Sequence, residues 1–356
     1  MIPLSFYLQK TQVNKHPAIL SILILSLLLS CHSNPQKADE PAFSYPIVLS
    51  SAFPEKSTIK DFHFDEDDLF ILSSYNQIFK VAPSGELDLI YSDKVDLDPS
   101  GIPYQYPNGA IAQISYYDQE LAIYYAQRKY LEKFSLTDAA LLKKIKIPSL
   151  EEDFFLNVYN LGLSNNELEN IVNLSRQTGE FQIQSLNMET GESKLMATGE
   201  FRHTSKSIAT HISEDNFFII DPSEAYLSFF DKNGNRVSDF DFYSEKLTFT
   251  EGQGAVEETF KSALEDGNIR IIGGTGTPEH FTLIVGISKR DPLTNSLEYS
   301  YFLFEKSENS SSIYPMDKLT ETIITKGNLV LVARKADKKL SIEIATWPEI
   351  IEKIVP

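Results

Sequence analysis

The feature that most constrains the fold is a repeat of short apolar segments of β type. These segments begin near Leu69, Leu121, Leu168, Phe217, Phe281 and Leu329. Their starting positions are 52, 47, 49, 64 and 48 residues apart. A repeat in this range is typical of propellers and arrays, in which each repeat is one supersecondary unit, and not of a sandwich with a single core.

The stretch from Ile59 to Asp93 shows the repeated unit most clearly. Turn residues separate four β-type runs: Ile59–Asp65, Leu69–Ser73, Gln77–Ala82 and Leu87–Tyr91. Pro83-Ser84-Gly85 supplies the last turn of the unit. Four antiparallel strands joined by tight hairpins correspond to one propeller blade, so the sequence predicts an all-β propeller of four-stranded antiparallel blades.

The last unit is short and predicts how the ring closes. It has three clear strands: Thr322–Thr325, Leu329–Ala333 and Leu340–Ala345. The missing fourth strand could come from Phe43–Leu49 near the start of the chain, which would pair the two ends and remove exposed sheet edges. We therefore expect a six-bladed propeller over residues 43–356, with seven blades or an irregular all-β fold as alternatives.

Composition excludes several classes of protein. The chain has 50 acidic and 32 basic residues among 356, and a formal net charge of -18. This balance argues against a nucleic-acid partner, which requires a clustered basic face. A single cysteine excludes an internal disulfide framework and any site with several cysteine ligands.

The N-terminus has the pattern of a secretory signal. Lys10 and Lys15 precede an apolar run of 12 residues, Ala18–Leu29, whereas a membrane-spanning helix needs about 20. The four residues Leu28-Leu29-Ser30-Cys31 resemble the lipobox of bacterial lipoproteins. The resemblance implies cleavage after Ser30 and lipidation of Cys31, although Cys31 could also be a chance cysteine behind an ordinary signal peptide.

These features divide the chain into three parts. Residues 1–30 are expected to be the signal peptide, residues 31–42 the lipidated cysteine with a polar, proline-containing tether, and residues 43–356 the propeller. We expect the lipid to anchor the protein in the bacterial cell envelope, in the outer membrane, on a face that the sequence does not specify.

Two connections are longer than ordinary hairpins and are the expected place for function. They are Asp93–Gly109 and Tyr243–Gly267. In the second, Val256, Phe260 and Leu264 are spaced to lie on one face of a short helix. Both join the last strand of one unit to the first strand of the next, so they should share one face of the ring. This face could bind a ligand, or the two loops could be packing flaps.

The first of these loops contains the candidate ligand residues. Tyr104, Gln105, Tyr106 and Asn108 combine aromatic and amide groups, which suits the recognition of a sugar or a peptide. The alternative is that the tyrosines are aromatic plugs for the ring.

The same loop contains the candidate metal ligands. Asp96 and Asp98 are followed by Ser100-Gly101, which is similar to the opening of a calcium loop. Pro107 stands where an EF-hand requires a glutamate, and an ordinary turn is the competing interpretation. Calcium is the only cofactor that the sequence suggests, and the competing expectation is that the protein has no cofactor.

A second turn candidate is Gly273-Gly274-Thr275-Gly276. It lacks the lysine and the following helix of a phosphate-binding loop. We therefore expect a flexible turn here.

The chain as a whole resembles envelope lipoproteins of Bacteroidota that carry a six-bladed propeller of NHL or TolB type. The resemblance depends on the lipobox, the repeat, and turns such as Phe230–Phe240 (FDKNGNRVSDF). It implies a membrane-anchored, non-catalytic binding or scaffolding protein for a peptide, glycan or envelope protein partner. The alternative is a calcium-assisted hydrolase or lyase with its site at the central channel. No catalytic residue can be assigned, because neither a Gly-x-Ser-x-Gly elbow nor HExxH spacing is present.

Overall fold

The computed structural model describes residues 46–64, 68–125, 130–138, 140–147, 155–164, 167–174, 178–187, 189–201, 209–212, 216–221, 224–245, 247–249, 254–290, 297–318, 320–336 and 339–355. Within these residues the strands form six four-stranded sheets and one two-stranded hairpin, and all pairings within the sheets are antiparallel.

The chain enters the fold through β1 (Ile47–Val48), and five sheets of consecutive strands follow. Blade one is β2 (Ile59–Phe64), β3 (Leu69–Ser73), β4 (Gln77–Val81) and β5 (Leu87–Ser92). The hairpin is β6 (Asp96–Leu97) and β7 (Pro103–Gln105). Blade two is β8 (Ile111–Tyr117), β9 (Glu120–Tyr125), β10 (Tyr130–Ser135) and β11 (Leu141–Lys146). Blade three is β12 (Phe155–Ser164), β13 (Glu167–Leu174), β14 (Glu180–Asn187) and β15 (Ser193–Glu200).

The second half of the chain continues the same pattern. Blade four is β16 (Ala209–Ile212), β17 (Asn216–Asp221), β18 (Tyr226–Asp231) and β19 (Arg236–Asp241). Helix α1 (Gly254–Glu265) precedes blade five, which is β20 (Ile269–Gly276), β21 (Phe281–Arg290), β22 (Leu297–Lys306) and β23 (Ser311–Pro315). The chain then forms β24 (Thr320–Lys326), β25 (Leu329–Ala336), β26 (Lys339–Thr346) and helix α2 (Trp347–Ile354).

The remaining sheet is composite, and it corrects the predicted blade count. Its strand order is β1-β26-β25-β24, so its outer strand comes from the opposite end of the chain. Ile47 lies opposite Ile342, and Val48 lies opposite Ser341. The propeller thus has five blades of four consecutive strands, where the sequence analysis expected six or seven. The difference arises because the last three strands complete a four-stranded sheet only by borrowing β1 from the other end of the chain. Strand β1 is shorter than the predicted Phe43–Leu49, and residues 43–45 lie outside the described residues.

The first strand of each sheet contacts the first strand of the next. The contacts run from β2 to β8, β12, β16, β20 and β24, and β24 returns to β2. The inner strands therefore form a closed circuit, which is the geometry of a β-propeller.

Apolar side chains fill the spaces between neighbouring sheets. One cluster joins the composite sheet to blade one and includes Ile47, Phe62 and Ile344. Another joins blades four and five, where Phe240, Phe281 and Phe304 pack in edge and tilted contacts. Burial between sheets rather than within one layer explains why the strands read as short apolar runs.

Two glycine turns connect neighbouring sheets. Gly85 has a φ of +86°, and a Cβ at this position would lie 2.0 Å from the carbonyl oxygen of Val48 in β1. Gly234 has a φ of +87°, and its Cβ would lie 1.8 Å from the carbonyl oxygen of Thr198 in β15. Both turns join the third and fourth strands of a blade, and both require glycine for its backbone conformation and for the close approach.

The segment Gly273–Gly276 is the second correction. It is the end of β20 and not a flexible turn. A Cβ at Gly273 would lie 2.2 Å from the Thr325 hydroxyl in β24, and one at Gly274 would lie 2.4 Å from Leu283. Gly273 lets the inner strands β20 and β24 approach closely, and Gly274 leaves room for Leu283 of β21 in the same sheet.

The two helices pack against the sheets. Phe260 and Ala263 of α1 are buried against blades four and five, with Val256 and Leu264 partly buried beside them. The predicted helix face is thus confirmed. Helix α2 begins at a capping box formed by Thr346 and Glu349. Neither helix in the described part of the chain has the length and apolar character needed to cross a bilayer.

Candidate functional site

The loop Asp93–Gly109 folds into the β6–β7 hairpin, and blade one holds it in place. The Tyr75 hydroxyl donates to the carbonyl oxygen of Gly101 at 2.6 Å, and the Lys56 ammonium donates to that of Ser100. The buried side chain of Asn76 donates to the carbonyl oxygen of Gly109 at 3.0 Å. Side chains of blade one and of the β1–β2 connection therefore bind the tip and the base of the loop through its backbone.

The four predicted ligand residues divide into two pairs. Tyr106 is half-buried: its hydroxyl donates to the carbonyl oxygen of Ser74 at 2.9 Å, and the Lys60 ammonium lies 4.6 Å from its ring centroid. Asn108 donates to a carboxylate oxygen of Asp93 at 2.7 Å. Tyr106 and Asn108 thus hold the loop.

Tyr104 and Gln105 form the second pair, and both are exposed. The Tyr104 side chain keeps 66% of its surface exposed. Gln105 lies opposite Asp96 in the two-stranded hairpin and is exposed as well. Asn108 is exposed as well, but its amide is bonded to Asp93, so Tyr104 and Gln105 are the predicted residues most open to a ligand.

Exposed apolar side chains are concentrated on this hairpin. Leu97 is 48% exposed, Ile102 is 55% exposed, and Tyr104 exceeds both. Exposed apolar groups that lie close together often mark a binding site, whereas isolated ones need no explanation. We call these three residues the hairpin patch.

The structure places Asp96 in β6 and Asp98 directly after it, as the first residue of the hairpin turn. Asp98 accepts hydrogen bonds from the Ser100 hydroxyl at 2.7 Å and from the backbone N–H of Ile102 at 2.8 Å. These bonds hold the pKa of the Asp98 carboxyl below its ordinary value. Asp96 lies 3.5 Å from the Lys94 ammonium. The described residues contain no group of three His, Cys, Asp or Glu side chains that could hold a metal ion, and the calcium prediction stays a prediction.

A pocket of 660 Å³ opens on the same face of the ring. One wall is the connection from β1 to β2, including Leu49, Phe53 and Glu55. The other wall is Glu321 of β24 with Lys335 of β25 and Lys339 of β26. Lys56, which follows Glu55, is the residue that binds the hairpin tip. The pocket and the hairpin patch are therefore joined by one short segment of chain.

The inner strands carry a buried ion pair. Lys326 of β24 donates to Asp61 at 2.9 Å, to the carbonyl oxygen of Phe62 at 2.8 Å and to that of Ile114 at 2.6 Å. Asp61 also accepts from the backbone N–H of Ile114 at 2.7 Å. Burial raises the pKa of Asp61 and lowers that of Lys326, because it penalises both charged forms. With every bond directed to the protein, this pair joins strands β24, β2 and β8.

The second long loop has a packing role where it is described. Helix α1 covers the core of blades four and five, and Phe260 stacks on Phe304 with ring centroids 6.0 Å apart. Ser30 and Cys31, the predicted cleavage and lipidation residues, lie outside the described residues.

Sequence reasoning missed the pocket and the ion pair. The pocket takes its walls from residues near both ends of the chain, and Asp61 and Lys326 are 265 residues apart. The only available indication was the predicted pairing of the N-terminal strand with the last unit, which brings these segments together.

The comparisons with known proteins concern the fold. No protein-family model matches the chain, and no curated protein matches its sequence. A Bacteroides fragilis protein inferred to be exported is 11% identical, with 87% of this chain and 96% of that chain covered and a TM-score of 0.45. A luciferin-regenerating enzyme is 12% identical, with 85% and 96% covered and a TM-score of 0.45. Hsv2 from Kluyveromyces marxianus is 11% identical, with 82% and 98% covered and a TM-score of 0.35. The class of protein is defined by the fold itself: antiparallel four-stranded sheets whose inner strands form a closed circuit make a β-propeller.

Proposed function

We propose that the protein is a lipid-anchored, non-catalytic binding propeller of the bacterial cell envelope. Its ligand would be a peptide, a glycan or an envelope protein, taken on the face that carries the hairpin. The observation that carries this proposal is the hairpin patch: its apolar side chains are exposed, while its backbone is held by Tyr75 and Lys56. A prearranged apolar surface lowers the entropic cost of binding.

The proposal includes closure of the ring by the composite sheet. Support comes from the β1–β26 pairing and from the contact of β24 with β2, which completes the circuit of inner strands. A closed ring is a rigid support for surface loops, which is the arrangement that binding loops require.

The binding part of the proposal is tested with arrays of peptides and of glycans. The double variant Ile102→Ser/Tyr104→Ser removes most of the hairpin patch, and Val237→Ser is the matched control because Val237 is 57% exposed on β19 of blade four. We expect ligands of the unmodified protein to be retained by the control and lost by the double variant. Ligands that bind all three proteins equally would contradict a role for the hairpin.

The anchor is tested separately on cells. The Cys31→Ser variant should leave the membrane fraction, whereas the unmodified protein should remain in it. A Cys31→Ser protein that stays membrane-bound would disprove the lipid anchor. Protease treatment of intact cells then assigns the face: digestion would indicate the cell surface, and protection until the outer membrane is opened would indicate the periplasm.

A further inference from the structure

We propose that the 660 Å³ pocket between the β1–β2 connection and the adjoining ends of β25 and β26 binds a short peptide with free termini and an apolar side chain. This deepens the proposed function and rests on it, because it names the ligand class for a second site on the same face. The volume lies within the range of about 300–1,000 Å³ that small-ligand sites occupy.

The pocket exists because β1 is short. The backbone N–H of Leu49 makes the last bond to β26, at 2.9 Å to the carbonyl oxygen of Leu340. The next residue, Ser50, turns away and donates to Gly85 of blade one. A space therefore opens between the departing chain and the end of β26, and the sequence does not fill it with a bulky side chain.

The inner wall of the pocket is apolar and fixed. Leu49 and Phe53 are buried there, and Leu340 is partly buried beside them. The Phe53 ring contacts the Phe79 ring of blade one, with centroids 5.9 Å apart. Since only 8% of Phe53 is exposed, it offers no open ring face for stacking a sugar, but it can line a space for an aliphatic or aromatic side chain.

Two pairs of oppositely charged side chains line the rim. One pair is bound to other groups of the protein, and the other could bind a ligand. Lys335 lies 3.7 Å from the Glu321 carboxylate and donates to the backbone carbonyl of Glu55 at 3.5 Å. In the described part of the chain, no hydrogen bond or ion pair holds the Lys339 ammonium or the Glu55 carboxylate. An available cation and an available anion beside an apolar wall match a ligand that has a carboxylate, an amine and an apolar group.

A peptide with free termini has all three groups. Its terminal carboxylate would bind Lys339, its terminal amine would bind Glu55, and its side chain would contact Leu49 and Leu340. A hydrogen bond to a charged group is stronger than one between neutral groups, so loss of either end contact should weaken binding about tenfold.

The test is calorimetric titration of the full chain carrying Cys31→Ser with the tripeptide Ala-Phe-Ala, its C-terminal amide and its N-acetyl form. We expect the free tripeptide to bind, and amidation to weaken binding about tenfold. Lys339→Gln should weaken binding of the free tripeptide by the same factor and leave binding of the amide unchanged. Lys232→Gln, in the exposed turn after β18, is the matched control and should change nothing.

Three results would overturn the inference: no binding of the free tripeptide at millimolar concentration, equal binding of the free and amidated forms, or equal effects of Lys339→Gln and Lys232→Gln. A glycan that binds in a Lys339-dependent manner while the tripeptide does not would overturn it as well. If the tripeptide fails but binding through the hairpin patch persists, only the pocket assignment is lost, and the proposed function stands.

Discussion

Lys326 reaches acceptors on two blades other than its own sheet. It binds Asp61 and Phe62 of blade one and Ile114 of blade two, and all these bonds lie in the protein interior. Charges removed from water are tolerated only when they are paired and hydrogen-bonded. At the scale of the residue, this arrangement predicts a strong and non-additive response to substitution.

We expect Lys326→Met and Asp61→Asn each to lower the free energy of unfolding, with Lys326→Met costing about 3–5 kcal/mol because it leaves the Asp61 charge buried without its partner. The double variant should lose much less than the sum of the two, since the unpaired charge is then absent. Urea unfolding of the four proteins measures this cycle. Additive losses would show that the two side chains act independently.

His63 predicts a dependence of stability on pH. Burial, with the nearby Lys326 charge as a second cause, lowers its pKa from 6.5 to about 3. Between these values the unfolded chain binds a proton that the folded protein does not, so the free energy of unfolding falls as the pH drops below 6.5. One such proton gives a slope of up to about 1.4 kcal/mol per pH unit.

The His63→Gln variant should therefore lose stability less steeply than the unmodified protein when the pH falls from 6.5 towards 4. His280→Gln is the control, because His280 is an exposed histidine in the turn before β21. Urea unfolding at a series of pH values is the measurement. Parallel curves for the His63→Gln variant and the unmodified protein would show that protonation of His63 is not coupled to unfolding.

At the scale of the element, the turn at Gly85 connects blade one to β1. Its carbonyl oxygen accepts from the Ser50 N–H at 2.9 Å, and its Cα faces the Val48 carbonyl. Gly191 has a similar φ of +75°, but a Cβ there would meet nothing within 4 Å. Comparing substitutions at the two glycines therefore separates the cost of a left-handed backbone from the cost of a steric clash.

We expect Gly191→Ala to cost about 1 kcal/mol from its left-handed backbone alone. Gly85→Ala should cost clearly more, because β1 must also move away from the new methyl group. Chemical unfolding of both variants makes the comparison. Equal losses of stability in the two variants would mean that β1 moves away from the new methyl group at no cost in free energy. That result would contradict a tightly packed turn.

The local sequence pattern predicted many of the strands and the face of helix α1, but few of the contacts between elements. The run Leu69–Ser73 is β3 with the predicted bounds, and the apolar spacing of Val256, Phe260 and Leu264 gave the face of α1. Both depend on the sequence near the element. The strand at Gly273–Gly274 was missed because its reason lies elsewhere, in the approach of Thr325 and Leu283.

The candidate site was likewise predictable only where it depends on local sequence. The loop Asp93–Gly109 was selected by its length and composition, but its hairpin and its attachment to Tyr75 and Lys56 depend on blade one. The pocket left no local pattern, since its walls meet only when the composite sheet forms.

At the scale of the whole molecule, the proposed non-catalytic function predicts that calcium does not set stability. Asp98, one of the two candidate ligands, is engaged in its own turn. We expect the melting temperature to be unchanged by millimolar calcium or by EDTA. An increase with calcium that EDTA reverses, and that Asp96→Asn/Asp98→Asn abolishes, would instead favour the calcium-assisted enzyme.

The pairing of Ile47 with Ile342 also imposes an order on biosynthesis. A chain made from its N-terminus produces β1 first, yet β1 has no partner until β26 has been synthesised. Each blade of consecutive strands can fold as it emerges, while β1 must wait through all of them, because contacts between distant residues form late. A protein that crosses a membrane as an extended chain would thus complete its ring only after its last strand has arrived on the far side.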